Sequence, residues 1–234
     1  HRRNPNISIC ELYAKLREDK AYSRHPGSLY RVFVRLGYRK KAESTKKKSK
    51  HNGHYDTPTE LGIKWQMDVK YVPYICYVGT DGEKFYQYTM LEEASRKRFI
   101  YAYKENSSHS TIDFVQRAII FFGYAPETIQ TDHGGEFTHT QKTNRIHPFD
   151  ILCNKLHITH KVLRPRTPWH NGKVERSHRN DQERFYNHLS FYSYDDLQVQ
   201  MKRYLYRSNN IPMSVLGWKT PNQKQYELEN MIYI

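Results

Sequence analysis

Asp68, Asp132 and Glu175 are the residues whose type and setting could carry chemistry. Asp68 lies inside Trp65-Gln-Met-Asp-Val-Lys-Tyr-Val72, an alternating strand pattern, and strands disfavour Asp. Asp132 follows a short strand-like stretch and precedes His133-Gly134-Gly135. Open α/β sheets place ligands at such strand ends. The plain readings are a solvent-facing Asp on an edge strand for Asp68 and ordinary turn chemistry for Asp132. Glu175 lies on a face shared with Asn171, His178 and Arg179 at helical spacing. Thr167-Pro168 reads as the start of that helix, a capping hydroxyl followed by proline at the first helical position. One carboxylate among cations there has three readings: a solvated face with internal Glu/Arg pairing, a phosphate-binding helix start, or a metal ligand beside nucleic-acid phosphates. Taken together, three carboxylates without soft ligands suit Mg²⁺ or Mn²⁺ rather than zinc.

The surrounding pattern supplies elements to position them. In the first strand Gln66, Asp68 and Lys70 share one face, and Trp65, Met67 and Val69 the other. A turn at Thr80-Asp-Gly82 leads to strands over 84–91 and 97–103, spaced as antiparallel hairpins. Ile112, Val115, Ile119 and Phe122 define a helix over 108–122. A strand over 127–131, a helix within 145–155 and a strand over 157–163 follow. This order predicts a mixed α/β sheet with helices on both faces. Ser193-Tyr-Asp-Asp196 caps a last helix, striped by Leu197, Met201, Tyr204 and Leu205, which ends in turns.

Ahead of this domain, Ser8-Ile-Cys-Glu11 reads as a capping box. It opens a helix striped by Ile9, Leu12, Tyr13 and Leu16. Pro26-Gly-Ser28 starts a second, striped by Leu29, Val32, Phe33 and Leu36, with Gly37 placed to end it. Its other face carries Ser28, Arg31 and Arg35. The pair fits a helix-turn-helix over 1–38 whose second helix enters a DNA groove, or a plain helical hairpin for protein contacts. Arg39, Lys40, Lys41, Lys46, Lys47, Lys48 and Lys50 make residues 39–60 a basic linker suited to DNA phosphates, with nuclear targeting as the rival reading.

The 234 residues carry a formal net charge of +14, and residues 1–60 hold 15 Lys/Arg against 6 Asp/Glu. That surplus calls for a polyanionic partner. Three widely spaced cysteines, Cys10, Cys76 and Cys153, argue for reduced thiols and against a disulfide framework. No apolar run is long enough to span a membrane. The chain opens with His1 rather than Met, so upstream modules are expected.

Gln66-Met-Asp-Val, Thr131-Asp-His-Gly-Gly-Glu-Phe137 and Arg164-Pro-Arg-Thr-Pro-Trp-His-Asn-Gly-Lys-Val-Glu-Arg176 closely resemble, in order, the three acidic motifs of bacterial insertion-sequence transposases with a retroviral-integrase-like DDE core. The resemblance covers about residues 60–225. It implies an RNase H-like core over 61–192, closed by a C-terminal helix and tail over 193–234. It also implies Asp68, Asp132 and Glu175 as catalytic residues holding two Mg²⁺ or Mn²⁺ ions, and DNA strand cleavage and transfer at insertion-sequence ends. Arg164, Arg166, His170, Asn171, Lys173, Arg176 and Arg179 become DNA contacts, with Trp169 serving packing or stacking. The implied partners are double-stranded DNA (transposon ends and target) and further copies of the chain, at least a dimer on DNA. The implied setting is the bacterial cytoplasm, at the nucleoid. A DNA-binding regulator on a retired transposase scaffold and an RNase H-like nuclease without strand transfer remain alternatives. Two departures are visible. Glu175 lies 43 positions after Asp132, longer than is usual in the family, with the excess assigned to a loop at 138–149. His133 stands where many relatives have Asn.

Overall fold

The structure, a computed structural model, describes residues 7–39, 56–79, 82–163 and 171–231. Contacts divide the chain into two units, residues 1–56 with 211–220 and residues 57–210 with 221–234.

The larger unit is built on the alternation around Asp68. Strand β1 (Lys64–Tyr71) sits mid-sheet, paired antiparallel with β2 (Tyr86–Glu92) and parallel with β4 (Thr128–Thr131). With β3 (Arg98–Tyr103) and β5 (Thr159–Val162) the order is β3-β2-β1-β4-β5. Trp65 and Met67 pack with Phe114, Val115, Ala118 and Phe122 of α3 (Ser108–Phe122) and with Phe149 and Cys153 of α4 (Pro148–Lys155). On the opposite face Leu197, Met201 and Leu205 of α6 (Tyr194–Asn209) cover Ile100 and Ala102. On the same face as α6, α5 (Gly172–Arg184) lies over the polar side chains of β1 and β2. Gln66, Gln87 and Thr89 on that face are wholly buried. The polar alternation of β1 therefore marks a face covered by a polar helix, where a period of two would normally signal solvent.

Helix α5 runs over Gly172–Arg184 with Asn171 at its N-cap; the start expected at Thr167-Pro168 lies outside the described residues. The tail is not all turn, because α7 (Pro221–Met231) starts at Pro221. Thr220-Pro221 carries the signal that was read at Thr167-Pro168.

In the smaller unit α1 (Ile9–Lys20) has the complete Ser8/Glu11 capping box. Helix α2 (Pro26–Arg35) ends at Gly37, whose φ is +72°. Tyr13 packs edge-on against Trp218 of the 211–220 segment. Leu29 is buried, but Val32 and Leu36 of the predicted stripe are 37% and 58% exposed. Two helices of 12 and 10 residues have too little surface to cover the whole stripe.

Candidate active site

The pairing of β1 with β4 stops at Gln66 and Gln130. Two residues further along each strand stand Asp68 and Asp132. Parallel neighbours run about 4.8 Å apart, so the register brings the two aspartates to one end of the sheet. Asp132 is exposed, and its Oδ1 accepts the Gly134 N–H at 3.0 Å. Glu175, in the first turn of α5, is exposed.

Electrostatics tie these groups together. Burial, then the charge of Asp132, and further those of Glu175 and Glu136, push the Asp68 carboxyl up to about 7, against the lowering bond from the Val69 N–H. That N–H donates to Asp68 Oδ1 at 2.9 Å. His178, one turn beyond Glu175, brings Nδ1 to 3.4 Å from Asp68 Oδ2 and pairs Nε2 with Thr89 Oγ1 at 2.9 Å. Burial holds the His178 imidazole down to about 4. Between about pH 4 and 7 the two groups are therefore neutral neighbours, not an ion pair.

Glu136 is the fourth carboxylate of the cluster. Its side chain folds over Gly134, where a Cβ would stand 2.6 Å from its Cδ, and its carbonyl accepts from Thr111 Oγ1 at 3.1 Å. Gly134→Ala is therefore expected to turn the Glu136 carboxylate away, lowering the Asp68 pKa in a carboxyl NMR titration. The displaced group is a flexible side-chain end, so thermal stability should change by less than about 1 kcal/mol.

The donor set, oxygen only and mutually repulsive, fits a hard divalent cation. Among the described residues, however, no three His, Cys, Asp or Glu side chains are gathered closely enough to hold a metal ion. Asp68 and Asp132 each accept a bond from a nearby backbone N–H. Closing around a cation takes side-chain rotation, to which exposed Asp132 and Glu175 are open.

Two family models, both described as "Integrase core domain", match residues 58–168, which hold Asp68 and Asp132, and residues 156–221, which hold Glu175. The chain belongs to the integrase core family. The protein named "Putative integrase ORF3" of Spiroplasma virus SpV1-C74 is 29% identical over 169 residues, 68% of this chain. The match takes in 46% of that relative, so the chain spans about half its length. The catalytic core of HTLV-2 integrase, solved with magnesium in a dimeric form, matches with a TM-score of 0.52 at 22% identity, over 71% of this chain and 97% of that one. A chain of the simian T-cell lymphotropic virus intasome, solved with a PP2A B56 gamma subunit, gives 0.59 at 18% identity, covering 93% and 74%. The BIV integrase core gives 0.55 at 21%, covering 74% and 99%. At these identities the likeness is one of fold, and the fold is RNase H-like.

The expected DNA contacts of this integrase core separate into three groups. Arg176 and Arg179 are exposed beside Glu175, and Arg31 and Arg35 are exposed on α2, with Arg31 donating to half-buried Ser28 at 3.3 Å. Others are occupied inside the protein. Asn171 is 3% exposed and its Nδ2 approaches the Met67 carbonyl at 3.5 Å. Lys173 donates to buried Glu93, and burial pulls its ammonium down to about 8 despite that partner. Arg39 donates to the Ile7 carbonyl at 2.7 Å. Lys70, on the face of β1 that carries Asp68, lies 4.5 Å over the Tyr186 ring. Lys40, Lys41, Lys46, Lys47, Lys48, Lys50, Arg164, Arg166, Trp169 and His170 lie outside the described residues. Sequence reasoning passed over Glu93, Gln87 and Asp181, all wholly buried. A charged residue in a polar stretch gives no sign of burial until the covering element is known.

Proposed function

We propose that the chain is a DNA transposase that cleaves and joins strands at the ends of an insertion sequence, with Asp68, Asp132 and Glu175 as its metal-binding catalytic residues. The observation that carries the reading is the β1–β4 register that brings Asp68 and Asp132 together at one end of an RNase H-like sheet, with Glu175 and Glu136 near enough to act on the Asp68 charge. Two Mg²⁺ or Mn²⁺ ions held there would lower the pKa of an attacking water or 3′-hydroxyl and neutralise charge on the scissile phosphate. Asp68, placed mid-sheet, supplies the fixed ligand. Asp132, from the strand end, and Glu175, from the helix, would be the other two ligands. Arg176 and Arg179 hold flanking phosphates as forked donors. His178, bonded to Thr89, flanks the Asp68 side chain. The magnesium in the HTLV-2 structure supports the choice of ion.

Double-stranded DNA is the proposed substrate, at both transposon end and target. The α1–α2 pair is proposed to bind it, with Arg31 and Arg35 toward phosphates or bases. A multimer on DNA, at least a dimer, is in line with the dimeric form and the intasome among the structural relatives. The proposed setting is the bacterial nucleoid.

The test is a joining assay with a labelled oligonucleotide carrying the element's end. Mg²⁺-dependent strand transfer is expected. Asp132→Asn or Glu175→Gln should lower it roughly 10³-fold with folding retained, since loss of a ligand removes several kcal/mol of transition-state stabilisation. Full activity in either variant would refute the assignment. DNA binding without metal-dependent chemistry would favour the regulator, and cleavage without joining the nuclease. Arg176→Ala and Arg179→Ala should each lower the salt slope of DNA binding by about 1.

A further inference from the structure

We propose that Glu93, acting through Gln66 and Lys173, is a positioning residue that sets Glu175 in register with Asp68. The proposal rests on the reading of those two carboxylates as metal ligands.

The first turn of a helix leaves backbone N–H groups in need of acceptors. Asn171, at the N-cap of α5, makes no side-chain capping bond. The acceptor comes from β1 instead: Gln66 Oε1 takes the Val174 N–H at 3.1 Å. Gln66 Nε2 in turn donates to Glu93 Oε1 at 2.9 Å. The other carboxylate oxygen of Glu93 accepts from Lys173 Nζ, and Lys64 Nζ stands 3.7 Å from Oε1. Gln66, Glu93 and Val174 are wholly buried. Glu93 is thus bonded on one side to the residue that caps α5 and on the other to a residue of α5 itself.

The placement of these bonds gives them their purpose. Gln66 precedes Asp68 by two residues on the same face of β1. Val174 immediately precedes Glu175. The network grips each proposed ligand's element one or two residues from the ligand. A slip of α5 by one residue would shift Glu175 by about 1.5 Å and turn it by about 100°. Mg²⁺ tolerates little departure from octahedral geometry, so such a slip would spoil a site built across strand and helix. A buried ion pair is a poor device for stability alone, because desolvation offsets its attraction. Its directional bonds define a position, and a negative group near the start of a 13-residue helix is also favoured by the helix dipole.

The test uses the full chain with Gln66→Met, Glu93→Gln and Lys173→Met. Mn²⁺ alone is the probe, followed by electron paramagnetic resonance of the free ion. Amide hydrogen exchange at Val174 is read alongside. Exchange at Val174 should quicken about 10-fold in the first two variants, while amides beyond Ser177 stay protected. Mn²⁺ dissociation constants should rise roughly 10- to 100-fold in all three. Combining Glu93→Gln with Lys173→Met should recover part of the affinity relative to Glu93→Gln, because the Lys173 ammonium no longer lacks its carboxylate partner, while Lys64 still does. If Glu93→Gln does not fold, Lys173→Met carries the test, since it leaves the Gln66 cap in place. Variants that melt earlier yet bind Mn²⁺ with the wild-type constant would reduce the network to a structural pair and overturn the proposal. A wild-type chain that binds no Mn²⁺ would instead sink the metal reading itself. A wild-type chain that binds Mn²⁺ but joins no DNA, with the variants behaving as expected, retires strand transfer and leaves the positioning role standing.

Discussion

Asp68→Asn is expected to abolish strand transfer and, in metal-free buffer at pH 8, to make the protein more stable. The two effects share one cause. The Asp68 carboxyl has an ordinary value of 3.8 and sits at about 7 in the folded chain. Burial comes first, then the neighbouring carboxylates. A carboxyl raised on folding binds its proton more tightly in the native state. Its contribution is fully present below about pH 4 and is lost as pH rises to about 7. Above that, ionised Asp68 opposes folding by an amount on the order of 2–4 kcal/mol. Asn keeps the shape and removes the charge. The melting temperature of Asp68→Asn should exceed wild type by roughly 5–10 °C at pH 8, with the gap shrinking toward pH 5. Mg²⁺ should raise the wild-type melting temperature by mass action and leave the variant's nearly unchanged. Thermal unfolding across pH in EDTA, then with Mg²⁺, reads both. Equal melting temperatures at pH 8 would show that neither burial nor the neighbouring carboxylates raise the Asp68 carboxyl.

That tension explains which parts of the site could be read from residues alone. Asp68 was visible because Asp is out of place in a strand interior, and Asp132 because a strand ended beside glycines. Helix α3 was visible to the residue, because Ile112, Val115, Ile119 and Phe122 mark one face of a helix whose other side meets solvent. Strand order was not visible: the parallel β1–β4 pairing joins residues more than 60 positions apart, and no local pattern encodes it. Glu93 follows Glu92 just before the Ala94-Ser95-Arg96 turn and reads as solvated. Only α5, some eighty positions later, makes it a buried anchor. Asp181 lies in Arg179-Asn-Asp-Gln-Glu-Arg184, a polar stretch with no apolar stripe, yet it is wholly buried. A helix that packs polar side chains inward defeats periodicity, which registers hydrophobic spacing and not hydrogen-bond partners. The Gln66 bond that caps the first turn of α5 comes from across the sheet, and no local pattern encodes it.

Asp181→Asn is expected to cost far more stability than any change at the acidic cluster, and to leave metal binding almost intact. Asp181 Oδ1 meets Arg98 Nη2 at 2.6 Å and the Tyr204 hydroxyl at 2.9 Å, while Oδ2 accepts from Gln87 Nε2 at 2.8 Å. Arg98 also donates from Nε to Ser208 Oγ at 2.9 Å. Burial pushes the Asp181 carboxyl up, but the Arg98 guanidinium and its hydrogen bonds prevail and hold it below the usual carboxylate range. Its stabilisation is therefore present above the unfolded value of 3.8 and is lost as pH falls through the lower folded value. Removing one partner of a buried pair strands the other, at about 3–5 kcal/mol. Asp181→Asn and Arg98→Met should each lower the melting temperature at pH 7 by roughly 10 °C, and the double variant should fall short of the sum. Asp181 lies six residues beyond Glu175, so it pins the far half of α5 while Gln66 and Glu93 pin its start. The two anchors divide the labour. Loss of Asp181 should unfold the protein at lower temperature yet leave the Mn²⁺ constant of the remaining folded chains within about 3-fold of wild type, because the register at Glu175 is held from the other end. A Mn²⁺ constant raised as far as in Glu93→Gln would show instead that α5 is positioned as one rigid rod, with no separate role for its first turn.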